Sequence, residues 1–184
     1  KSDYSMGLSD FFVNTFKKLG GEIVIQQSYS SGDVDFKSQL TSIKGKNPEA
    51  IFIPGYYTEV GLIARQAREL GIKVPLLGGD GWDSAKLLEI GGASLNGSYF
   101  SNHYATDDKS PNIQNFINSF KAKFNEVPDS MAVLGYDALM VIANAMKRAK
   151  SLSGSDLRDA IARTKNFPGV TGSISLNENR DAVK

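Results

Sequence analysis

Short apolar runs alternate with helical patterns through the first half of the chain, and this alternation restricts the fold more than any other feature. Four runs have the composition of β-strands, at residues 22–27, 50–54, 74–79 and 98–101. Apolar residues at helical spacing lie before and between them, at residues 8–19, 36–43, 58–70 and 84–90. A strand, a helix and a strand at this spacing form a βαβ unit, and consecutive units build a parallel sheet. The sequence therefore predicts an α/β fold.

The second half has a different pattern. Ser110 and Pro111 are the residue types that begin a helix, and apolar residues follow at helical spacing to Phe124. Two more helices are predicted at residues 131–150 and 155–165, and residues 169–181 indicate a strand pair or a strand with glycine bends. We therefore expect two domains, residues 1–102 and 103–184, with a mainly helical segment in the second.

Composition argues against several classes of function. Of the 184 residues, 41% are hydrophobic and 22% are charged, which is typical of an ordinary globular protein. The formal net charge is +1 with interleaved signs, whereas a nucleic-acid surface needs a concentrated basic stripe. The chain has no cysteine and a single histidine, His103, so zinc chemistry and histidine-based catalysis have little support. No apolar run approaches the roughly 20 residues that cross a bilayer.

The sequence also lacks the motifs that bind the phosphates of cofactors. Neither GxGxxG nor GxxxxGK[ST] occurs, and the GxSxG nucleophile motif is absent as well. Asp80 and Asp83 lie close together, but no histidine or metal-ligand spacing accompanies them. We therefore expect no catalytic residue, no metal and no cofactor.

Polar and aromatic residues occupy the loops at the carboxyl ends of the predicted strands, where ligands of parallel sheets bind. A ligand that carries an ammonium group needs an anionic side chain, hydroxyl groups and an aromatic or aliphatic wall. Asp80, in a glycine-rich loop, is the candidate anion. Tyr4 and Tyr56, on two other loops, are candidates for hydroxyl groups and for ring faces that attract the ammonium.

Each candidate also has a purely structural interpretation. Asp80 suits a turn in which the side chain bonds its own backbone, and Tyr56 suits packing at a strand end. Trp82 is typical of a rim or packing residue, and Met131 of the core face of a helix. His103 lies in a predicted connection, where a structural or exposed role is expected.

Several segments together resemble the leucine/isoleucine/valine-binding proteins, the type I periplasmic binding proteins that serve branched-chain amino-acid ABC transporters. The most specific are PGYYTEVGLIARQARELG, at residues 54–71, and LLGGDGWD, at residues 76–83. DYSMG, YFSNHYATDD and VLGYDALMVIANAMKRA add to the resemblance, which extends over essentially the whole chain.

The resemblance implies a two-lobed clamshell that captures an amino acid. In the family, an acidic side chain at the position of Asp80 holds the ligand ammonium, and aromatic side chains at the positions of Tyr4 and Tyr56 line the same face. Trp82 and Met131, the latter near the family's hydrophobic wall, complete the ligand-binding candidates. Aspartate stands here where some relatives use glutamate, and its shorter arm would move the ligand or favour a different amino acid.

The resemblance also implies a part of a longer protein. Residues 1–102 correspond to the distal lobe without its first strand, and residues 103–184 to the crossover and the C-terminal part of the other lobe. We expect weak or no amino-acid binding by this chain without the other lobe, and association between copies through uncovered surfaces. The implied partners are an amino acid and an ABC transporter permease, with no nucleic acid, in a periplasmic or extracellular protein that a lipid could anchor.

Two other classes of function stay open on the sequence. The effector-binding domain of a receptor or transcription regulator shares the type I fold, and a DNA-binding or membrane-signalling segment outside this sequence would distinguish it. A small α/β hydrolase or transferase has no nucleophile or phosphate motif in its favour.

Overall fold

The computed structural model describes residues 2–184, and the chain divides into two compact units between Asn102 and His103. The first unit holds a parallel sheet with helices, and the second holds three helices with antiparallel strands. Assignment of these units to the two lobes of a longer protein stays a prediction. Within the described chain, no helix combines the length and the apolar character that a membrane span requires.

The first unit confirms the predicted α/β fold. Its elements are α1 Asp3–Lys18, α2 Lys37–Lys44, β1 Ile51–Phe52, α3 Tyr57–Glu69, β2 Leu76–Gly78, a 3₁₀ helix Asp80–Trp82, α4 Ala85–Gly91, a second 3₁₀ helix Gly92–Leu95 and β3 Tyr99–Phe100. The strands lie in the order β1-β2-β3, and both pairs are parallel. Helix α3 connects β1 to β2 and α4 follows β2, so the predicted βαβ succession is present.

Helix α3 supplies the centre of the core of this unit. Its apolar residues recur at helical spacing and face inward, so Val60, Ala64 and Ala67 are fully buried. They form one hydrophobic cluster with Phe36, Leu40, Trp82 and the strand residues Ile51 and Leu76. The side chain of Gln66 joins α3 to the preceding connection, because it accepts a hydrogen bond from the Phe36 N–H and donates one to the Val34 carbonyl, at 2.7 and 2.8 Å.

The end of α3 is fixed by local chemistry that the sequence makes visible. Gly71 has a φ of +75°, a left-handed conformation that favours glycine. The Ile72 N–H can therefore turn back to the Ala67 carbonyl at 2.9 Å, the bond that defines a Schellman cap. Arg68 then donates to the carbonyls of Ile72 and Val74, which ties the helix end to the chain that enters β2.

The strand predicted at residues 22–27 is wrong. Residues 21–30 have no regular secondary structure, although their burial alternates, with Ile23 and Ile25 half-buried and Glu22, Val24 and Gln26 exposed. A strand requires a neighbour that shares ladder hydrogen bonds, and no other segment of the described residues pairs with this one. The segment has the period-2 burial of a strand, but the partner that a strand needs is not among the described residues.

Helix α1 is only partly covered. Its Phe12 ring stacks on Phe52 of β1, with centroids 4.1 Å apart, and so joins the helix to the sheet. No residue of α1 is fully buried, and Phe11 and Leu19 are 78% and 81% exposed. The predicted apolar stripe is therefore real as a helical pattern but is not packed in a core along its length.

The second unit contains α5 Pro111–Phe124, α6 Ser130–Arg148, α7 Gly154–Ala162, β4 Phe167–Gly169, β5 Gly172–Leu176 and β6 Ala182–Val183. The three helices and the strand pair agree with the prediction. β4 and β5 form an antiparallel hairpin whose two-residue turn is Val170–Thr171, and β6 pairs with β5. Tyr104, Ile113, Ile117 and Val133 form its buried cluster.

A buried carboxylate holds the hairpin turn against α6. Asp137 is 2% exposed, and it accepts hydrogen bonds from the backbone N–H groups of Val170 and Thr171 at 2.8 and 2.9 Å. The Thr171 hydroxyl donates a third bond, at 2.6 Å. A buried charge is stable only with such partners, and here the turn supplies all three donors.

The opposite face of α6 is apolar and exposed. Met131, Leu139, Ile142 and Met146 follow one another at helical spacing and are 42, 63, 39 and 43% exposed. Lysine, arginine and glutamate are absent from residues 130–146, where Asp137 is the only charged side chain. The structural interpretation of Met131 as a core residue is therefore wrong in this chain, because the buried stripe of the helix runs through Val133, Asp137, Val141 and Ala145 instead.

Replacement of Asp137 by alanine should destabilise the second unit. The Val170 and Thr171 N–H groups would lose their acceptor, and a buried donor without a partner costs about 1–3 kcal/mol. Urea denaturation of Asp137→Ala should therefore show a lower free energy of unfolding. Asp107→Ala, at an exposed position, is the matched control, and equal stability of the two variants would contradict the role assigned to Asp137.

Candidate functional site

Three of the predicted site residues come together in the first unit. Tyr4 lies in the first turn of α1, Tyr56 is the residue that caps the N-terminus of α3, and Asp80 begins the 3₁₀ helix after β2. Because β1 and β2 are parallel, the loops that follow them emerge at the same edge of the sheet. The first turn of α1 reaches this edge as well, through the contacts described next.

Hydrogen bonds join Tyr4 to the loop after β2. The Tyr4 hydroxyl donates to Asp80 Oδ1 at 2.8 Å. The same oxygen accepts a hydrogen bond from the Gly81 N–H at 3.0 Å. The phenol thus connects a carboxylate and a backbone amide that are neighbours in sequence, across 76 residues of chain.

The glycines of the loop make room for this phenol. A Cβ added at Gly81 would lie 2.6 Å from the Gly55 carbonyl oxygen and 3.1 Å from the Tyr4 hydroxyl. A Cβ at Gly79 would also lie 3.1 Å from that hydroxyl. The close approach of the backbone, rather than an unusual φ at these two residues, is therefore what requires small residues in the Gly-Gly-Asp-Gly segment.

Tyr4 and Tyr56 form a stacked pair. Their ring centroids are 5.0 Å apart and the ring planes are inclined by 27°. Tyr4 is half-buried, whereas Tyr56 is 40% exposed and presents its ring at the surface. The three side chains therefore form one continuous group of an anion, a phenol that bonds it and an exposed aromatic ring.

Burial raises the pKa of Tyr4 above its ordinary value of 10.0, and the nearby Asp80 carboxylate adds to the increase, while the Gly81 N–H opposes it. The phenol therefore stays protonated at neutral pH and keeps its role as a hydrogen-bond donor to Asp80.

The other predicted site residues lie in different surroundings. Trp82 is 1% exposed, belongs to the core and donates its indole N–H to the Ile53 carbonyl at 3.0 Å. Direct contact between Trp82 and a ligand stays a prediction, which this buried position does not favour. Met131 lies in the second unit, at the start of α6, with 42% of its surface exposed. Met131 and the group of Tyr4, Tyr56 and Asp80 belong to different units, so Met131 is described only within its own unit.

Sequence reasoning missed Glu59. This carboxylate is 8% exposed and accepts a hydrogen bond from the Gly32 N–H at 2.9 Å, so it holds the turn at residues 30–33 against the start of α3. Its place in the first turn of α3 was a visible signal, since acidic residues are favoured there. Its partner lies 27 residues away, which spacing does not reveal.

The described residues hold no cluster of three or more histidine or acidic side chains that could bind a metal. Two surface cavities lie away from the tyrosines and Asp80. One is lined by residues of the 34–37 connection and of α3, and the other lies in the second unit beside His103 and the β4–β5 turn. Neither cavity is lined by Asp80, Tyr4 or Tyr56; Tyr56 is 40% exposed, and Tyr4 and Asp80 are half-buried.

Comparison with known proteins identifies the class of protein to which this chain belongs. The family described as "Periplasmic binding protein" matches residues 2–183. The chain therefore belongs to the periplasmic binding protein family, whose members are placed in the periplasm or outside the cell.

Individual relatives agree with this assignment. The chain is 31% identical to Leu/Ile/Val-binding protein homolog 3 of Brucella melitensis, over 98% of this chain and 49% of that protein. A leucine-binding protein from Thermotoga maritima has a TM-score of 0.89 at 43% identity, over 100% of this chain and 52% of that one. The branched-chain amino acid transporter substrate-binding protein of Streptococcus pneumoniae, solved with isoleucine, has a TM-score of 0.83 at 38% identity, over 100% and 52% of the two chains.

The chain spans about half the length of the curated relatives it matches. These relatives are named as binding proteins and not as enzymes, in agreement with the prediction that this chain is not catalytic. The predicted resemblance to leucine/isoleucine/valine-binding proteins is confirmed.

Stability at alkaline pH should depend on Tyr29, whose hydroxyl lies beside Gly55 in the loop after β1. Burial and the Glu59 charge raise its pKa from 10.0 to about 12. The neutral phenol is favoured in the folded state, so its contribution to stability is complete below the ordinary pKa of 10.0 and is lost as the pH rises through about 12. Urea denaturation at increasing pH should show this loss, and Tyr29→Phe should reduce it because phenylalanine does not ionise.

Tyr99→Phe, at a position 68% exposed, is the matched control for that experiment. An alkaline loss of stability that is the same in Tyr29→Phe and in the unaltered chain would contradict the assignment to Tyr29.

Proposed function

We propose that this chain is the part of an amino-acid-binding protein that recognises the ligand ammonium group, in a solute-binding component of an ABC transporter. The observation that carries the proposal is the Asp80 carboxylate held at 2.8 Å by Tyr4 beside the exposed ring of Tyr56. The names of the relatives support an aliphatic amino acid as the ligand, since one is a leucine-binding protein and another was solved with isoleucine.

The chemistry of the three side chains suits an α-ammonium group. A carboxylate forms a short charge-assisted hydrogen bond with an ammonium, and an aromatic face attracts a cation within about 6 Å. Asp80 supplies the first interaction and the exposed ring of Tyr56 the second. Groups for the ligand carboxylate are proposed to come from the other lobe, so this chain without that lobe should bind amino acids weakly or not at all.

The unpaired backbone of the first unit supports completion by a further strand. β1 is at the edge of the sheet, and residues 22–27 alternate in burial like a strand but have no ladder partner in the described chain. A strand from the longer protein, beside β1, would satisfy these backbone groups. We therefore keep the interpretation of residues 1–102 as a distal lobe that lacks its first strand.

In the proposed mechanism, ligand binding stabilises a closed form of the two lobes. The amino acid bonds to Asp80 on one side and to the other lobe through its carboxylate, so only the closed form makes both sets of contacts. A ligand shifts the equilibrium in proportion to this difference in affinity. The closed form is then the species that the permease recognises, in the periplasm or at the outer face of a membrane to which a lipid could anchor the protein.

Replacement of Asp80 by asparagine should weaken amino-acid binding by about tenfold or more in the two-lobed protein, because a charge-assisted bond to the ammonium becomes a neutral one. Isothermal titration calorimetry with L-leucine and L-isoleucine measures the dissociation constants. The same titration of this 184-residue chain should give no micromolar binding.

Glu89→Gln is the matched control, since it removes an exposed carboxylate of α4 in the same unit. Unchanged affinity in Asp80→Asn would remove this carboxylate from the ligand site. Micromolar binding by the 184-residue chain would contradict the requirement for a second lobe.

The exposed apolar face of α6 supports a second part of the proposal, self-association of this chain. We propose that two copies bury this face against each other, because Leu139, Ile142 and Met146 are exposed and no charge interrupts them. Gly135 lies on the same face with open space around its Cα, which would allow close approach of a second helix.

Sedimentation velocity should therefore detect dimers or larger species of the 184-residue chain. Leu139→Glu should shift the distribution to monomer, because association would bury a charge without a partner. Leu88→Glu, which places the same charge at a position 67% exposed on α4, should leave association unchanged. A monodisperse monomer for the unaltered chain would contradict self-association.

A further inference from the structure

We propose that Tyr4 is a positioning residue that orients the Asp80 carboxylate, and that Tyr56 is the aromatic residue that touches the ligand. The proposal rests on the proposed function, because it divides the roles within that site. It changes the prediction from sequence, in which both tyrosines offered hydroxyl groups and ring faces to the ligand.

The first argument is the hydrogen-bonding capacity of the Tyr4 hydroxyl. A phenol has one proton to donate, and Tyr4 donates it to Asp80 Oδ1 at 2.8 Å. The Gly81 N–H occupies an acceptor position of the same oxygen at 3.0 Å. A ligand carboxylate would need a donor, and the only proton of this hydroxyl is already used.

The second argument is the fit of the phenol into the loop. Gly79 and Gly81 leave the space that the Tyr4 hydroxyl occupies, since a Cβ at either would lie 3.1 Å from it. The hydroxyl is thus held between the loop backbone and the carboxylate. Rotation of the Asp80 side chain away from its present orientation would break the bond to Tyr4, so the phenol favours the present orientation.

The third argument is the contrast between the two rings. Tyr56 is 40% exposed, and its hydroxyl has no hydrogen bond among the described residues. Its ring stacks on Tyr4 at 5.0 Å, which fixes its plane from one side. Tyr56 therefore offers a ligand an exposed ring face and a hydroxyl without a hydrogen bond to the described residues. The Tyr4 ring is half-buried, and its hydroxyl is already bonded to Asp80 and to the Gly81 N–H.

The direct test is the rotamer of Asp80 in the ligand-free chain, measured by NMR from the couplings between its α and β protons. The 184-residue chain should show one dominant rotamer. Tyr4→Phe keeps the ring and removes the hydroxyl, so the couplings should show a smaller population of that dominant rotamer. Tyr56→Phe is the matched control and should leave them unchanged. Couplings in Tyr4→Phe that equal those of the unaltered chain would overturn the positioning role.

A second measurement separates positioning from a merely structural effect. The measurement is an NMR titration of the two-lobed protein, and the probes are L-leucine and 4-methylpentanoate, which is leucine without its ammonium group. Tyr4→Phe should raise the leucine dissociation constant about tenfold, as expected when a hydrogen bond to a charged group is lost. It should leave that of 4-methylpentanoate unchanged. An equal loss for both probes would contradict action through Asp80.

A double-mutant cycle distinguishes failure of this proposal from failure of the proposed function. In an Asp80→Asn background, Tyr4→Phe should add little, whereas removal of the ring in Tyr56→Ala should still weaken leucine binding. Full additivity of Tyr4→Phe and Asp80→Asn would overturn the positioning role alone. If Asp80→Asn itself has no effect on leucine binding by the two-lobed protein, the evidence is against the proposed ammonium site, and the rotamer measurement still decides the role of Tyr4.

Discussion

Parallel pairing of β1, β2 and β3 is the constraint on which the arrangement of the first unit depends. Parallel neighbours cannot be joined by a tight turn, so helices α3 and α4 must carry the chain back between them. The same geometry sends the loops after β1 and β2 to one edge of the sheet. Tyr56 and Asp80 reach a common surface for this reason, although α3 and the whole of β2 separate them in the chain.

The contact between α1 and this edge depends on small residues as much as on hydrogen bonds. Gly81 approaches the Gly55 carbonyl so closely that a Cβ would lie 2.6 Å from that oxygen. This close approach joins the loops after β1 and β2 and leaves a position for the Tyr4 hydroxyl beside them. Trp82 supports the loop from below, because its ring is buried and its N–H is bonded to Ile53. The aromatic residues near these loops therefore differ in role, because Trp82 packs in the core and Tyr56 is exposed at the surface.

The sequence predicted the helices well because their signals are local. Apolar spacing, Pro111 at the start of α5 and Gly71 at the end of α3 each act within a few residues. The strand at residues 22–27 could not be predicted in the same way, because a strand exists only with a partner, and the pattern of one segment does not show whether a partner is present. The choice of Asp80, Tyr4 and Tyr56 came from residue type and resemblance.

The sequence did not predict the hydrogen bonds or the unequal exposure of Asp80, Tyr4 and Tyr56. Only the structure shows them, because Tyr4 and Asp80 are 76 residues apart in the chain. Helix α6 is a second case in which the sequence pattern did not show how a segment packs. Its apolar residues predicted a helix, but they did not show that a buried carboxylate, Asp137, marks its packed face or that Leu139 is 63% exposed. Periodicity identified the helix but not which side of it is covered.

The orientation of Asp80 affects how much the contact with the ammonium group contributes to the binding free energy. A carboxylate that is already fixed by a phenol loses little side-chain freedom when an ammonium arrives, so less of the binding free energy is spent on ordering. Preorganisation of this sort improves the use of one contact but does not replace the contacts that the ligand carboxylate and side chain require. A single ammonium site at the protein surface competes with water and therefore supports weak binding at most. This surface is thus suited to define the orientation of an amino acid, while tight binding requires that a second surface exclude water from the same bond.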